Sequence, residues 1–260
     1  MPFTETAGLR YFQFGIFPTG LTQAVFTRAG GVSPSPWETL NVGGTVGDGA
    51  ANVRENRVRS FGAAGRRLES MFDVWQVHSA DVVLAEAPRR PDEGYQKADI
   101  ILTDRPDVTI FMRFADCVPV LLYDPIRAVI GMVHAGWLGT VRGASRAAVE
   151  GMIAGFGSRP EDIMAAIGPS IGVDHYEVGG DVRERVRQTY GTQAETLIQT
   201  RDGRSYLDLW EANRLQLLQM GVRQIEVAGL CTACHTDDWF SHRAEKGRTG
   251  RFGALIALPS

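Results

Sequence analysis

Short apolar segments, many of them close together in sequence, dominate the pattern of hydrophobic positions along the chain. Runs of about four to seven residues rich in β-branched and apolar side chains, bounded by turn-forming residues, are typical of strands. The pattern predicts ten strands, at Gln23–Thr27, Phe72–Val77, Val82–Ala85, Asp99–Thr103, Val108–Arg113, Pro119–Tyr123, Ala128–Val133, Ile163–Ile167, Ile225–Gly229 and Phe252–Leu258. Asp124-Pro125 is a turn signal between two of these runs, so Val118–His134 is predicted to be a hairpin.

Three segments instead carry apolar residues at helical spacing: Thr140–Phe156, which Gly157 ends, Gly180–Tyr190, and Leu207–Met220. The Gly- and Pro-rich stretch Arg28–Gly49 is predicted to form long ordered loops. Because the strands do not alternate regularly with helices, the pattern indicates an α+β fold with mixed sheets. No shift in composition marks a boundary, so a single domain over residues 1–260 is expected.

Composition and charge then narrow the functional classes. The 260 residues are 44% hydrophobic and 22% charged, as in ordinary globular proteins. The net charge of −3 provides no general attraction for nucleic acid or anionic membranes, so neither partner is expected. The longest nearly apolar run, Ala128–Gly139, falls short of the ~18 residues that a bilayer span needs. The first twenty residues show no secretory signal, which favours a cytoplasmic protein.

Two histidines and one cysteine form the most informative set of reactive residues. His78, Cys117 and His134 each follow a strand-like apolar run, and the predicted hairpin brings the last two together. Two imidazoles and a thiolate suit zinc, and three protein ligands leave a fourth position open, as in catalytic sites. Asp116 is expected to accept a hydrogen bond from one of the imidazoles. The same residues also allow a metal-free Cys117–His134 nucleophile pair, or simple burial in the core.

The segment Cys231-Thr232-Ala233-Cys234-His235 matches the C-x-x-C-H of covalent haem attachment. That reaction takes place outside the cytoplasm, so we reject this interpretation. A zinc ribbon needs a second cysteine pair, which the sequence lacks, and the context of a thioredoxin-type redox pair is also missing. We therefore expect the spacing to be accidental. Three cysteines are an odd number in a chain without a signal peptide, so free thiols are expected.

A basic run near the C-terminal end, with Arg243, Lys246, Arg248 and Arg251, has the donors needed to surround an anion, although a solvated loop has the same composition. Of the 27 basic residues only Lys97 and Lys246 are lysines. The sequence contains neither a P-loop nor a dinucleotide-binding G-x-G-x-x-G that opens a helix.

Taken in order, these segments resemble the YfiH-like "laccase-domain" family, known as polyphenol oxidases and later as purine nucleoside phosphorylases and adenosine deaminases. The resemblance covers nearly the whole chain. Its motifs are TRAGGVS (Thr27–Ser33), LNVG (Leu40–Gly43), VGDGAANVRENR, QVHS, ADCVPVLLYDP, VHAGWLGT, IGPSIG followed by YEVG, CT at Cys231, and FSHR with the closing TGRF.

The resemblance implies a four-layer α/β/β/α fold and makes His78, Cys117 and His134 the metal ligands and catalytic centre. It implies a zinc enzyme for phosphorolysis of adenosine, inosine and methylthioadenosine, with orthophosphate as co-substrate, and for deamination of adenosine. The expected partners are thus small molecules. We assign Arg243 and Arg248 to anion contacts, and Asn41 and Gln76 to polar positioning of the substrate.

Two other functions stay open on the sequence. The His/Cys/His set also suits Cu²⁺, as phenol oxidation would require, although one mononuclear site is poorly suited to the four-electron reduction of dioxygen. A metal-free Cys-His hydrolase that acts on a peptidoglycan precursor is the second alternative. The oligomeric state is not indicated.

Overall fold

Two six-stranded sheets are stacked face to face in the computed structural model, which describes residues 3–259. Their strands, with those of a third, three-stranded sheet, are β1 (Phe3–Thr6), β2 (Leu9–Phe12), β3 (Thr22–Phe26), β4 (Met71–Phe72), β5 (Val82–Leu84), β6 (Ile100–Thr103), β7 (Thr109–Phe114), β8 (Val118–Asp124), β9 (Val129–Ala135), β10 (Met164–Ile167), β11 (Glu177–Val178), β12 (Ile198–Arg201), β13 (Arg204–Leu207), β14 (Gln224–Val227) and β15 (Phe252–Ala257).

The first sheet has the order β1-β2-β3-β15-β7-β4 and the second β14-β10-β8-β9-β6-β5. Each is mixed, since β4 runs parallel to β7 in the first sheet, and β10 and β5 run parallel to β14 and β6 in the second. The helices are α1 (Ala50–Ala63), α2 (Trp137–Val141), α3 (Ala144–Phe156), α4 (Gly180–Tyr190), α5 (Ala194–Leu197) and α6 (Leu209–Gln219). Within residues 3–259, no helix is long and apolar enough to cross a membrane.

The apolar side chains divide the molecule into four layers. Between the sheets lies one core to which both contribute, including Phe114 and Phe252 from the first and Leu121 and Ile130 from the second. The outer face of the first sheet packs against α1, and α3 and α6 cover the outer face of the second sheet. The expected α/β/β/α arrangement with mixed sheets is confirmed.

The hairpin predicted over Val118–His134 is formed by β8 and β9 at the centre of the second sheet, where both strands are buried along their whole length. Its register pairs Pro119 with His134. Cys117 directly precedes β8, so the ladder brings the thiol and the imidazole to the same edge of the sheet. A one-residue slip would turn His134 to the opposite face, which makes this register a condition for the site.

Nine of the ten predicted strands are confirmed. For most of these nine, the predicted and observed bounds differ by no more than one residue at each end. Phe72–Val77 is the exception, because only Met71–Phe72 is paired as a strand. Beyond it Trp75 forms only an isolated backbone bridge to Lys97, and the other contacts are with side chains: the carbonyl of Val74 accepts from Arg113, and the amide of Val77 donates to Asp99. Buried Asp73 forms ion pairs with Arg89 and Arg113 in place of ladder contacts.

The helix predicted over Thr140–Phe156 is broken into α2 and α3, since Gly143 adopts a left-handed conformation with φ of 82°. Gly180–Tyr190 matches α4 at both ends. The third predicted helix begins later than expected because the carboxylate of Asp208 caps α6 by accepting from the amide of Glu211.

Several elements give too weak an apolar pattern to be predicted, among them the β1–β2 hairpin, the three-stranded sheet and α1. Helix α1 buries polar side chains as well as apolar ones. The amide of Asn56 donates to Ser33 Oγ and to the carbonyls of Thr39 and Asn41, and it accepts from the amide of Val32. One buried side chain therefore fastens the long 28–49 loop, in which no helix or strand is formed, to the helix.

We expect Asn56→Ala to lower the free energy of unfolding by about 3 kcal/mol, because several buried backbone groups would lose their partner. Urea unfolding followed by tryptophan fluorescence measures the change. Arg54→Ala, on the exposed face of the same helix, is the matched control and should shift stability by no more than about 0.5 kcal/mol. Equal effects of the two substitutions would contradict this account of the loop.

Candidate active site

His78, Cys117 and His134 converge at one edge of the stacked sheets. His78 ends the extended segment after β4, Cys117 lies in the turn between β7 and β8, and His134 lies near the end of β9. Cys117 Sγ is 3.8 Å from His78 Nε2, and the two imidazole centroids are 5.0 Å apart. One ligand atom from each residue lies within 4.8 Å of the others, which is close enough for all three to bind a single ion.

The backbone around the three residues is unusual. His78 and Asp116, the residue before Cys117, both have positive φ values, 59° and 82°, that side chains other than glycine rarely adopt. A Cβ at Gly136 would stand 2.8 Å from Cys117 Sγ and 2.9 Å from His78 Cδ2. The chain therefore holds strained conformations and a required glycine at the point where the ligands meet, as functional sites often do.

Asp99 holds two of the three ligands in place. Its Oδ1 lies 2.8 Å from His134 Nδ1, which turns Nε2 of that ring toward the other ligands. Its Oδ2 accepts from the amides of Val77 and Ser79, on both sides of His78. Hydrogen bonding and the charge of His134 lower the pKa of this carboxylate despite the opposing effect of burial.

Asp116 does not have the predicted role of an acceptor for a ligand imidazole. Its carboxylate accepts from the hydroxyl of Thr232 at 2.7 Å and from the amide of Arg243 at 2.6 Å. It thereby ties the Cys117 turn to two loops from the C-terminal part of the chain. Asp99, 35 positions before His134, takes the role assigned to Asp116.

Electrostatics favour the ionised forms of the central pair. Burial opposes ionisation of Cys117, but the charge of His134 and hydrogen bonds from both histidines lower its pKa to about 6. Burial likewise disfavours the charged form of His134, yet the thiolate and Asp99 raise its pKa to about 9. Both shifts favour a thiolate beside an imidazolium, and the thiolate is the form that binds metals.

A cavity of about 710 Å³ opens over these residues. Its walls combine aromatic rings with cationic side chains, a composition suited to a flat, polar substrate that carries or meets an anion. The aromatic residues are Trp75, Tyr95, Trp137 and Tyr176, and the guanidinium groups are those of Arg57, Arg113, Arg243 and Arg251.

Three of the four cavity arginines have no acidic partner. Arg113 forms an ion pair with Asp73 at 3.0 Å. In the described part of the chain, no carboxylate oxygen lies within 4.0 Å of a guanidinium nitrogen of Arg57, Arg243 or Arg251. Each of these donates only to backbone carbonyls. Their charge is thus left for a ligand.

The predicted substrate contacts fall in different places. Arg243 and Gln76 line the cavity, but the Gln76 amide is bonded at both ends to Arg113. Asn41 is fully buried beneath the wall, where its Oδ1 accepts from the amides of Gly43 and Arg251. Arg248 does not line the cavity.

Comparison with known proteins places this chain in a family. A family model described as "Multi-copper polyphenol oxidoreductase laccase" matches residues 22–259. A protein of Deinococcus radiodurans named "Purine nucleoside phosphorylase" is 41% identical over 91% of this chain and 88% of its own length. The Escherichia coli protein named "Purine nucleoside phosphorylase YfiH" is 35% identical over 93% of this chain and 95% of its own length. The chain belongs to the YfiH-like laccase-domain family.

Solved structures agree with this assignment. The crystal structure of YlmD from Geobacillus stearothermophilus superposes with a TM-score of 0.93 at 34% identity, covering 100% of this chain and 99% of the other. Protein NMB0706 of Neisseria meningitidis superposes with a TM-score of 0.85 at 31% identity and full coverage of both chains.

The motifs of the laccase-domain family meet around the cavity. QVHS, ADC and VHAGW supply the three candidate ligands. LNVG and TGRF are hydrogen-bonded to each other: Asn41 Oδ1 accepts from the amide of Arg251, and the amide of Val42 donates to the carbonyl of Arg251. The two segments are also in close contact, since a Cβ at Gly43 would stand 2.7 Å from Arg251 Cγ. Of the basic run, Arg243 and Arg251 line the cavity and Arg248 does not, and Arg251 also contacts Asn41 of LNVG, 210 positions away.

We expect Asp99→Asn to weaken metal binding at the His78–Cys117–His134 site by about 10- to 100-fold, because an amide cannot accept from both His134 and the backbone. Competition with a chromophoric zinc chelator measures the affinity. Asp104→Asn, an exposed position just beyond the end of β6, is the control and should leave it unchanged. An unaltered affinity in Asp99→Asn would show that the carboxylate does not orient the ligand.

Proposed function

We propose that this protein is a zinc-dependent purine nucleoside phosphorylase that also deaminates adenosine. The observation that carries the proposal is the convergence of two imidazoles and a thiolate in a cavity whose arginines lack acidic partners. The names of the relatives in Deinococcus radiodurans and Escherichia coli support the same class of enzyme.

The residues present fit a zinc ion. His78, Cys117 and His134 offer the donor set that zinc prefers, and Asp99 holds one imidazole in the tautomer that binds through Nε2. When bound, zinc would act as a Lewis acid and bring the pKa of water to ~7. Free thiols at all three cysteines agree with a reducing compartment, and we place the protein in the cytoplasm.

The cavity walls suit the two halves of a nucleoside. Trp75 and Tyr95, with centroids 6.2 Å apart, stand partly exposed at the rim, and Trp137 and Tyr176 lie close to the candidate ligands. Aromatic faces of this kind stack on purine rings. Gln76 holds Arg113 and Asn41 holds Arg251, so both act as positioning residues for cations of the wall.

Arg251, with Arg57 and Arg243, is proposed to bind orthophosphate. Arg251 is half-buried in the cavity wall; burial lowers the pKa of its guanidinium, whereas the nearby charges of Cys117 and Asp116 act to raise it. In phosphorolysis a phosphate oxygen bonds to C1′ of the ribose while the bond from C1′ to the purine nitrogen breaks. The products are the sugar 1-phosphate (ribose 1-phosphate, or 5-methylthioribose 1-phosphate from methylthioadenosine) and the base, which takes up a proton. Fixed guanidinium groups can hold the nucleophile in line for this attack.

Deamination needs the same cavity but no phosphate. Water adds at C6 of adenosine and ammonia leaves, which gives inosine. The substrates proposed for phosphorolysis are adenosine, inosine and methylthioadenosine, all of which share the purine ring that the aromatic walls would stack against.

The zinc-loaded protein should convert inosine and phosphate to hypoxanthine and ribose 1-phosphate in equal amounts, as separated and quantified by chromatography. We expect His78→Ala to lower kcat/KM by at least about 100-fold, because the metal would lose a ligand. His235→Ala, an equally exposed histidine outside the cavity, is the control. No phosphate-dependent base release by the wild-type protein would overturn the proposal. Ammonia release from adenosine without phosphate tests the deamination separately.

Arg251→Gln is expected to raise the KM for phosphate by about 10-fold or more and the KM for inosine much less, because a charge-assisted contact to the anion is lost. Initial rates at varied phosphate and inosine measure both constants. Arg223→Gln, an exposed position beyond the C-terminal end of α6 and outside the cavity lining, serves as the control. A rise confined to the KM for inosine would place the anion elsewhere.

Copper-dependent phenol oxidation is a second candidate, which the description of the family model favours. The donor set accepts copper as well as zinc. Elemental analysis of protein purified without added copper, combined with assays of phenol oxidation and phosphorolysis on that preparation, separates the two functions.

A metal-free hydrolase that acts on a peptidoglycan precursor is a third candidate. The lowered pKa of Cys117 favours it, since a thiolate beside an imidazolium is an activated nucleophile. Removal of metal by a chelator distinguishes the candidates: phosphorolysis should disappear with the ion, whereas a cysteine hydrolase would keep its activity and lose it only on Cys117→Ala.

A further inference from the structure

A second group of metal-binding side chains lies outside the cavity, around the C-x-x-C pair. Cys231 and Cys234 meet Asp174 and His175, and one ligand atom from each of the four lies within 4.8 Å of the others. The pair is therefore not isolated, contrary to the expectation that its spacing is accidental. The missing half of the set comes from a loop more than fifty positions earlier in the chain.

We propose that Asp174, His175, Cys231 and Cys234 form a structural zinc site that joins two loops beside the catalytic cavity. Two thiolates, one imidazole and one carboxylate fill a tetrahedron with ligands that zinc prefers. Because no position stays open for water or substrate, the role of this site is structural and not catalytic. It is independent of the proposed nucleoside chemistry.

The distances suit a single ion. Around a tetrahedral zinc, bonds of about 2.0 Å to nitrogen or oxygen and 2.3 Å to sulfur place neighbouring ligand atoms about 3.3 to 3.8 Å apart. His175 Nδ1 lies 3.7 Å from Cys231 Sγ, 3.4 Å from Cys234 Sγ and 3.1 Å from Asp174 Oδ2. Cys234 Sγ lies 3.0 Å from the same carboxylate oxygen. All four separations fall within about 0.5 Å of those values.

The backbone is shaped to hold the four side chains. The amides of His175 and Tyr176 both donate to the carbonyl of Gly172, which closes a tight turn over the first pair of ligands. A Cβ at Gly172 would stand 2.5 Å from Asp174 Oδ1 and 3.1 Å from Cys231 Cβ, so only glycine fits there. The amide of Gly172 donates to Cys231 Sγ at 3.2 Å, which fixes the position of that sulfur against the first loop.

The chemistry of the four donor atoms also suits a cation. Two sulfurs, an imidazole nitrogen and a carboxylate oxygen can all donate electron pairs to one divalent ion, and the thiols would release their protons on binding it. Cys231 is buried, whereas Asp174, His175 and Cys234 are exposed, so an ion can enter from solvent.

Both loops lead directly to the cavity. Thr232, next to Cys231, donates to Asp116 in the turn that carries Cys117. Tyr176, next to His175, lines the cavity, and Arg243 donates to the carbonyls of His175 and Glu177. A zinc ion between the loops would therefore fix the wall that carries Tyr176 and Arg243.

Zinc content measured by elemental mass spectrometry tests the proposal. The wild-type protein, Cys117→Ala, Cys234→Ser and the double variant would be purified under reducing conditions with zinc and then desalted. If both sites bind, we expect two, one, one and zero ions per chain. If the His78–Cys117–His134 site binds none, the expected contents are one, one, zero and zero, so the two proposals fail separately. His235→Ala, in the same turn but not a ligand, should match the wild type.

Stability and spectroscopy give readouts that do not depend on activity. In Cys117→Ala, a strong chelator should lower Tm, because the remaining ion binds only the folded chain, and the further change Cys234→Ser should abolish that shift. Co²⁺ added to metal-free Cys117→Ala should give thiolate charge-transfer absorption that Asp174→Asn weakens and Cys234→Ser removes.

Three results would overturn the site. They are zinc contents that do not change on Cys234→Ser, a Tm of Cys117→Ala that does not respond to the chelator, and a Cys231–Cys234 disulfide in place of the ion under reducing conditions. Circular dichroism that matches the wild type would show that Cys234→Ser, at an exposed position, leaves the fold intact.

Discussion

The carboxylate of Asp99 is the contact on which the candidate active site depends. One oxygen orients His134, and the other receives the two amides that flank His78, so a single buried group sets two ligands from distant parts of the chain. Burying a charge is costly unless it is paired and hydrogen-bonded, and this carboxylate has three donors, one of them the His134 imidazole. The left-handed backbone at His78 persists because those two amides are held on both sides of it.

The arginines are used in two distinct ways around the cavity. Arg113 is neutralised by Asp73 and bonded to Gln76, so it braces the extended segment that leads to His78. Arg57, Arg243 and Arg251 satisfy their donors with backbone carbonyls and keep their net charge. A guanidinium can do both because it has five donors in a fixed fork, whereas an ammonium group has three and no fixed plane.

The local parts of the fold could be predicted from the sequence, and the contacts between distant segments could not. The hairpin that joins Cys117 to His134 was predictable because its strands are strongly apolar and a turn signal separates them. Helix α1 escaped prediction since it buries Asn56 and Ser60 where a regular apolar stripe would stand. Asp99, Arg251 and the Asp174–His175 pair act on partners 35 to 210 positions away, and no periodicity records such pairings. The family resemblance pointed to the three candidate ligands, but not to the groups that support them.

The β8–β9 ladder and the bonds of Asp99 set the positions of Cys117 and both histidines using only protein groups. In a small zinc finger, by contrast, the ion gathers ligands that are otherwise disordered, and the apo chain is unfolded. Here the candidate ligands are gathered by the sheet itself. Folding and the proposed metallation of the cavity would thus be separable events: a newly made chain would reach its final shape first and acquire, lose or exchange the ion later without refolding.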